Sequence, residues 1–191
     1  MSPPRASLSV TFVGLHKALG PSPRAYVEAA RIAEDAGIDH LALSDHVVMG
    51  ERTDRYPYGP FPFPPADPWP EPLTTLAAIA SVTSRIRLGT GVLIAPLRPA
   101  ALLAKTVATL DALSDGRVDL GVGVGWQEEE YDATGVPFAR RWARLDDTLR
   151  ACRALWTGEA ASLSSETVRF ERIWCTPRPV QARLPIWFGA K

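Results

Sequence analysis

The feature that most constrains this sequence is a repeated alternation. A short run of apolar and β-branched residues gives way to a helical stripe, and then to another apolar run. Residues 8–15 (LSVTFVGL) are the first run and read as a strand. Ser22-Pro23 then supplies a helix cap with proline at the first helical position. Tyr26, Ala29, Ala30, Ala33 and Ala36 mark one helical face, and Gly37 is placed to end it. The second strand, HLALS at 40–44, follows at once. Helices over 73–82 and from Pro99 (Leu103, Val107, Leu110 and Leu113 on one face) alternate with strands over 86–94 and 117–124. Trp142, Leu145, Leu149, Cys152 and Trp156 give a fourth helix, 160–175 a hairpin, and 184–188 a fifth strand.

Strands that are apolar on both faces and alternate with helices imply a parallel sheet covered by helices. Two closures are open to such a chain: a doubly wound open sheet, or a (β/α)₈ TIM barrel. Short βα units with no GxGxxG after the first strand favour the barrel. A barrel needs eight strands and the sequence supplies five. The expectation is one domain, 1–191, with the TIM-barrel fold incomplete at about five of eight βα units.

Charge narrows the partners. Lys plus Arg equals Asp plus Glu, at 21 each, so no strong field draws nucleic acid or an anionic membrane. No run of 18 apolar residues exists to span a membrane. The first residues lack a basic start followed by an apolar run, so the expected location is the cytoplasm. Cys152 and Cys175 lack metal-type spacing; Cys152 lies on a helical stripe as a packing residue, and a disulfide is not expected.

In parallel α/β folds the chemistry gathers where strands end at their carboxyl side. His16 follows the first strand and Asp45-His46 the second. Alone, either of the latter could be a capping residue. Together at a strand end they point to function, because imidazole titrates near neutrality and a neighbouring carboxylate can orient it or bind a ligand. Gly89-Thr90-Gly91 interrupts the third strand, and Gly121, Gly123 and Gly125 strip one face of the fourth. Glycine there marks either tight packing or a close backbone approach, and two bare adjacent faces would admit a planar ring system. Glu128-Glu129-Glu130 reads as the solvated first turn of a helix, and His16 as a loop residue. Residues 56–72 hold eight prolines and five aromatics, so they form neither a helix interior nor a central strand. They read as a rigid surface loop or as the aromatic wall of a pocket.

The order of several segments resembles the luciferase-like monooxygenases, in particular their coenzyme F420-dependent oxidoreductases. The segments are SDHVV (44–48), RYPYGPFPFPPADPWPEPLTTLAA (55–78), RIRLGTGVLIAPLR (85–98), LAKTVATLDALSDGRVDLGVGVGWQEEEY (103–131) and LPIWFGA (184–190). The resemblance implies a (β/α)₈ barrel with a flavin or deazaflavin at its carboxyl-end face. By that match His46 is the proton-handling residue and Asp45 contacts the cofactor. Gly89, Thr90 and Gly91 belong to a bulge behind the ring, with a cis non-proline bond at Thr90-Gly91 or beside it. Gly123, Gly125 and Trp126 line the groove, and Gly189 opens the phosphate turn, where Lys191 could add charge. Trp126 stands where some F420 dehydrogenases of the family carry a catalytic glutamate, which argues against their sugar-phosphate chemistry. Family members also continue for roughly a hundred residues more.

These readings imply F420-dependent hydride transfer to or from a small organic substrate, with His46 protonating or deprotonating the substrate oxygen. One alternative is an FMN-dependent monooxygenase using O₂; another is an inactive truncated barrel whose raw edges favour aggregation or a homodimer. A metal hydrolase using His16, Asp45, His46 and Asp119 is disfavoured: there is no His-x-His and only three histidines, so no metal is expected.

Overall fold

A computed structural model describes residues 6–189. Strand β1 is Ser9–Phe12, shorter than its apolar run, because the chain turns at Gly14 into the short helix α1, His16–Leu19. Helix α2 (Arg24–Asp35) leads to β2 (His40–Leu43). Helix α3 (Pro72–Ala80) starts where expected for a local reason: Pro72 occupies its first turn, and the Glu71 carboxylate accepts the Thr74 amide at 2.7 Å.

The single third strand read from the sequence is two pieces, β3 (Arg87–Thr90) and β4 (Leu93–Ile94), with a cis Gly91-Val92 peptide between them. The cis bond thus lies one position beyond Thr90-Gly91. Helix α4 (Ala100–Leu113) and β5 (Val118–Gly123) follow. The acidic run then forms a helix of its own, α5 (Glu128–Thr134), ended by Gly135 at φ 69°. Helix α6 (Arg141–Leu155) leads into the antiparallel hairpin β6 (Ala161–Ser164) and β7 (Arg169–Ile173), and β8 (Ile186–Phe188) closes the order.

β1 pairs with β2, β2 with β3 and β3 with β5, all parallel. β8 takes Leu120 to Val122 on one edge of β5, so β4, which pairs with Val122 and Gly123, sits on the other edge in line with β3. The spatial order therefore follows the chain, as in a (β/α)₈ barrel, with five strand positions present and β1 and β8 at the two edges.

Side chains alternate across this sheet. Leu41, Leu43, Leu88, Val118, Leu120 and Val122 join one buried cluster with Leu76, Ile79, Leu103, Val107, Leu149 and Cys152 of the covering helices. The opposite face carries Thr11, Ala42, Gly91, Asp119 and Gly121, the side that faces inward in a (β/α)₈ barrel. Cys152 and Cys175 are buried free thiols in that cluster, and burial pushes the Cys152 thiol up to about 12. Among the described residues no helix is long and apolar enough to cross a membrane.

Candidate active site

The carboxyl ends of β1, β2, β4 and β5 open into a cavity of about 750 Å³, a volume typical of small-molecule sites. Its floor is backbone and small side chains: Thr11, Ser44, Gly91, Val92, Gly123, Gly125 and Gly189. One wall is the proline-rich segment, with Tyr56, Phe61, Phe63 and Trp69. Of the two readings of that segment, the pocket wall is the one the geometry supports.

His46 sits between floor and wall. Its Nδ1 lies 3.1 Å from Oε2 of Glu130, which is fully buried. The other Glu130 oxygen accepts the Val47 amide at 2.9 Å. With Oε2 as the acceptor of that contact, Nδ1–H is the donor and Nε2 is the nitrogen left over. Nε2 has no hydrogen-bond partner among the described residues. The ring is packed edge-on against Trp69 (centroids 4.7 Å apart), Phe61 (5.9 Å) and Trp126 (6.0 Å).

Glu130 is the partner that sequence reading missed, taken there for part of a solvated turn. All three acids of the run reach back to the loop after β2. Glu128 pairs with Arg55 at 2.8 Å, the Glu129 side chain packs where a Cβ on Gly50 would stand, and Glu130 holds His46. Gln127 completes the clasp: it accepts the Gly50 amide at 2.7 Å and donates to the Gly50 carbonyl at 3.0 Å. Nothing local in the run of three acids marks the third; only the folded helix turns Glu130 inward beside Tyr131.

Asp45 also lines the cavity, but its carboxylate is already engaged. Arg98 donates to both of its oxygens, at 2.7 and 3.0 Å, and the Ile94 amide to one at 2.8 Å. Burial opposes the Arg98 charge, yet hydrogen bonds and attraction from Asp45 and Glu71 outweigh it and raise its pKa. This knot binds the loop after β2 to β4 and to the start of α3.

The glycines divide. Gly91, Gly123, Gly125 and Gly189 line the cavity, while Gly89 and Thr90 do not. A Cβ at Gly89 would stand 2.4 Å from His40 Nε2, so that bare face is filled from the neighbouring strand, not left for a ligand. Thr90 donates its buried hydroxyl to the Gly121 carbonyl at 2.6 Å. Gly123 and Gly189 make room for Val92: a Cβ on either would come 2.8 Å from one of its methyl groups. The bulge between β3 and β4 turns Val92 inward, and its side chain becomes part of the floor. Trp126 lines the cavity, and Lys191 lies outside the described residues.

His16 and Asp119 stand elsewhere. His16 Nε2 lies 3.0 Å from Asp67 in the proline-rich segment and helps hold it against α1. Asp119 belongs to a polar cluster at the opposite end of the strands, with Arg87 and His40. Among the described residues no three His, Cys, Asp or Glu side chains gather as a metal site would need.

Comparison with known proteins shows the family to which the chain belongs. The luciferase-like monooxygenase family model matches residues 6–191, and the chain belongs to that family. It is 41% identical over 170 residues to an uncharacterised protein of Mycobacterium tuberculosis, covering 85% of this chain and 59% of that one. It is 36% identical over 152 residues to an F420-dependent glucose-6-phosphate dehydrogenase of Nocardia farcinica, covering 77% and 42%. Among solved structures it resembles the monooxygenase RslO1 of Streptomyces bottropensis, with TM-score 0.78 and 25% identity, covering 96% and 53%. It shares its fold with the FMN-bound oxygenating component of a Pseudomonas putida diketocamphane monooxygenase, with TM-score 0.69 and 19% identity, covering 87% and 43%. The chain spans about half the length of the relatives it matches.

Proposed function

We propose that this chain carries the active-site half of a deazaflavin oxidoreductase, using coenzyme F420 for hydride transfer with a small organic substrate. The observation that carries the reading is His46: one ring nitrogen tied to a buried carboxylate, the other unpartnered in a roomy cavity. The likeness to the F420-dependent Nocardia enzyme supports the same cofactor class.

The residues present fit such a group. A planar ring needs a low, apolar floor; Gly123, Gly125 and Gly189 let Val92 and Ile94 lie close against the backbone, and with Gly91 they form one. Trp126 and Asp45 complete the contacts proposed for the ring, with Gly89 and Thr90 backing the bulge from behind. Bound there, the deazaflavin supplies a carbon that gives or takes hydride. The chain's own part is to orient the substrate and manage its proton. His46 Nε2 takes the proton of a substrate hydroxyl during oxidation, or returns it during reduction. Glu130 favours the imidazolium that forms and keeps the ring from rotating. The aromatic wall excludes water from the reacting atoms.

A second reading is a monooxygenase using FMN and O₂; the likeness to the monooxygenase RslO1 supports the reaction class. One experiment separates the two. The purified chain is incubated with F420 or FMN, dialysed, and its absorbance read; retained cofactor is then tested for anaerobic hydride transfer or for O₂ consumption. Retention of F420 with anaerobic turnover supports the first reading, and FMN with O₂ uptake the second. Retention of neither chromophore overturns both for this chain. A cytoplasmic location and a homodimer belong to the same proposal, and sedimentation velocity checks the latter.

A further inference from the structure

The wall formed by residues 56–70 is built differently from the rest of the cavity. No helix or strand forms within it, and seven of its residues are prolines, which have no N–H to bond it to a neighbour. Its rings pack on one another. Tyr56 meets Tyr58 and Phe61, Phe61 meets Phe63 and Trp69, and Phe63 meets Trp69, at 5.0–6.4 Å between centroids. The segment thus carries a small core of its own inside a proline-stiffened chain, and it can shift as a unit without unfolding.

Its two ends are fixed. Arg55, just before it, pairs with Glu128 at 2.8 Å, and Glu71, just after it, pairs with Arg98 at 2.8 Å. On its inner side Phe61 and Trp69 lie against His46, and Tyr56 and Phe61 against Trp126. These are apolar contacts that an entering ligand can replace with its own. On its outer side the basic residues of α1 hold it. Asp67 Oδ2 lies 3.0 Å from His16 Nε2 and 3.9 Å from Lys17 Nζ. Lys17 also donates to the Pro62 carbonyl at 3.3 Å and stands 4.3 Å from the centre of the Phe63 ring. Phe63 lies over Gly14, where a Cβ would come 2.6 Å from the ring.

The outer contact is close but poorly made. The His16 and Asp67 side chains are 13% and 18% exposed, yet Nε2 and Oδ2 are not aligned for a hydrogen bond, and His16 Nδ1 has no partner among the described residues. Enclosed polar atoms without good partners are unfavourable, and opening returns them to water. The closed arrangement is therefore held by a narrow margin.

We propose that residues 56–70 are a lid on the cavity, swinging about its ends at 55–56 and 70–71, with Asp67 as the latch that His16 and Lys17 hold. Closed, the lid presses Phe61 and Trp69 onto His46 and shields the imidazole from water. Open, it admits and releases ligands, so the strength of the latch sets their exchange rate. The inference rests on the cavity being a ligand site, whichever cofactor fills it.

Fluorine NMR on the chain labelled with 5-fluorotryptophan, without cofactor, tests this. The Trp69 signal is the one lost in Trp69→Phe. Asp67→Asn keeps the shape of the latch and removes its charge. It should raise the open fraction about fivefold, read as a second Trp69 signal with a larger shift between H₂O and D₂O, at an unchanged melting temperature. His16→Gln should act in the same direction, and the double variant should fall short of the sum, because both changes break one latch. Asp54→Asn removes a charge from the exposed Arg52–Asp54 pair outside the lid and should leave the Trp69 signal as in the parent. A Trp69 signal unmoved in both Asp67→Asn and His16→Gln would overturn the proposal. So would a lowered melting temperature with no second signal, which would make the contact a packing feature. If the second signal appears as expected while the chain retains neither F420 nor FMN, the cofactor reading fails and the lid stands.

Discussion

His46 and His40 lie at opposite ends of the same strand and have become different instruments. His46 has one nitrogen fixed by Glu130 and one left over, with aromatic rings packed edge-on against the imidazole. His40 is engaged on both sides: Nδ1 lies 2.9 Å from the Ser9 hydroxyl and Nε2 3.6 Å from Asp119. Asp119 is itself gripped by Arg87 at 2.6 and 2.7 Å, and the His40 ring fills the space over Gly89. A nitrogen can move protons for a substrate only if no neighbour has claimed it. The contrast teaches that the number of unclaimed ring atoms, not the presence of an acid nearby, separates the histidine proposed as reactive from the structural one.

The largest effect that would break this contrast is kinetic. In the active enzyme, His46→Ala should lower turnover by on the order of 10²-fold or more, with cofactor affinity little changed. His40→Ala should leave turnover near that of the parent. Steady-state kinetics with a cofactor titration checks both, and equal losses would erase the distinction.

Next come the glycines of β5. A Cβ on Gly121 would stand 1.9 Å from the Thr90 carbonyl oxygen, which is backbone and cannot step aside. Gly121→Ala should cost about 3 kcal/mol or prevent folding. At Gly123 the obstacle is a Val92 methyl group at 2.8 Å, which can move into the cavity. Gly123→Ala should cost less, about 1 kcal/mol, and weaken cofactor binding instead. Urea unfolding beside a binding titration would show the two effects separating.

A smaller effect is expected at Glu130. Glu130→Gln keeps the shape but loses the charge, and kcat should fall on the order of tenfold, with KM and cofactor affinity nearly constant. A loss confined to stability, with kcat intact, would make Glu130 a packing residue.

The smallest effect is a pH slope. Burial, only partly offset by Asp119 and reinforced by Arg87, lowers the pKa of His40 below its ordinary 6.5. The unfolded chain therefore binds the proton more readily. The stability this contributes is present above pH 6.5 and is lost as pH falls through the folded value. His40→Gln should flatten that part of the stability curve, as urea midpoints between pH 7 and 5 would report.

The sequence made one end of the sheet more readable than the other. Alternation of strand and helix, the hairpin, the Asp45-His46 pair at a strand end and the interrupted third strand are written in adjacent residues, where periodicity and glycine speak directly. Contacts across long stretches of chain were not readable. Glu130 meets His46 from 84 positions away, and Arg98 takes Asp45 from 53. No local pattern ranks Glu130 above Glu128 until α5 is folded against the loop after β2. The glycine stripe was visible, but the bulge that sends Val92 into it was not. The space over Gly123 and Gly189 is therefore occupied by Val92.

The clasp of Gln127 on Gly50, with Glu130 on Val47, has a consequence for how the enzyme could evolve. Those bonds tie the loop bearing His46 to α5 and to the residue that caps it. The segment 56–70 is held separately, by His16, Lys17 and ring contacts. Substitutions in the aromatic strip can thus reshape that wall of the cavity, residue by residue, while the bonds that fix the His46 ring stay in place.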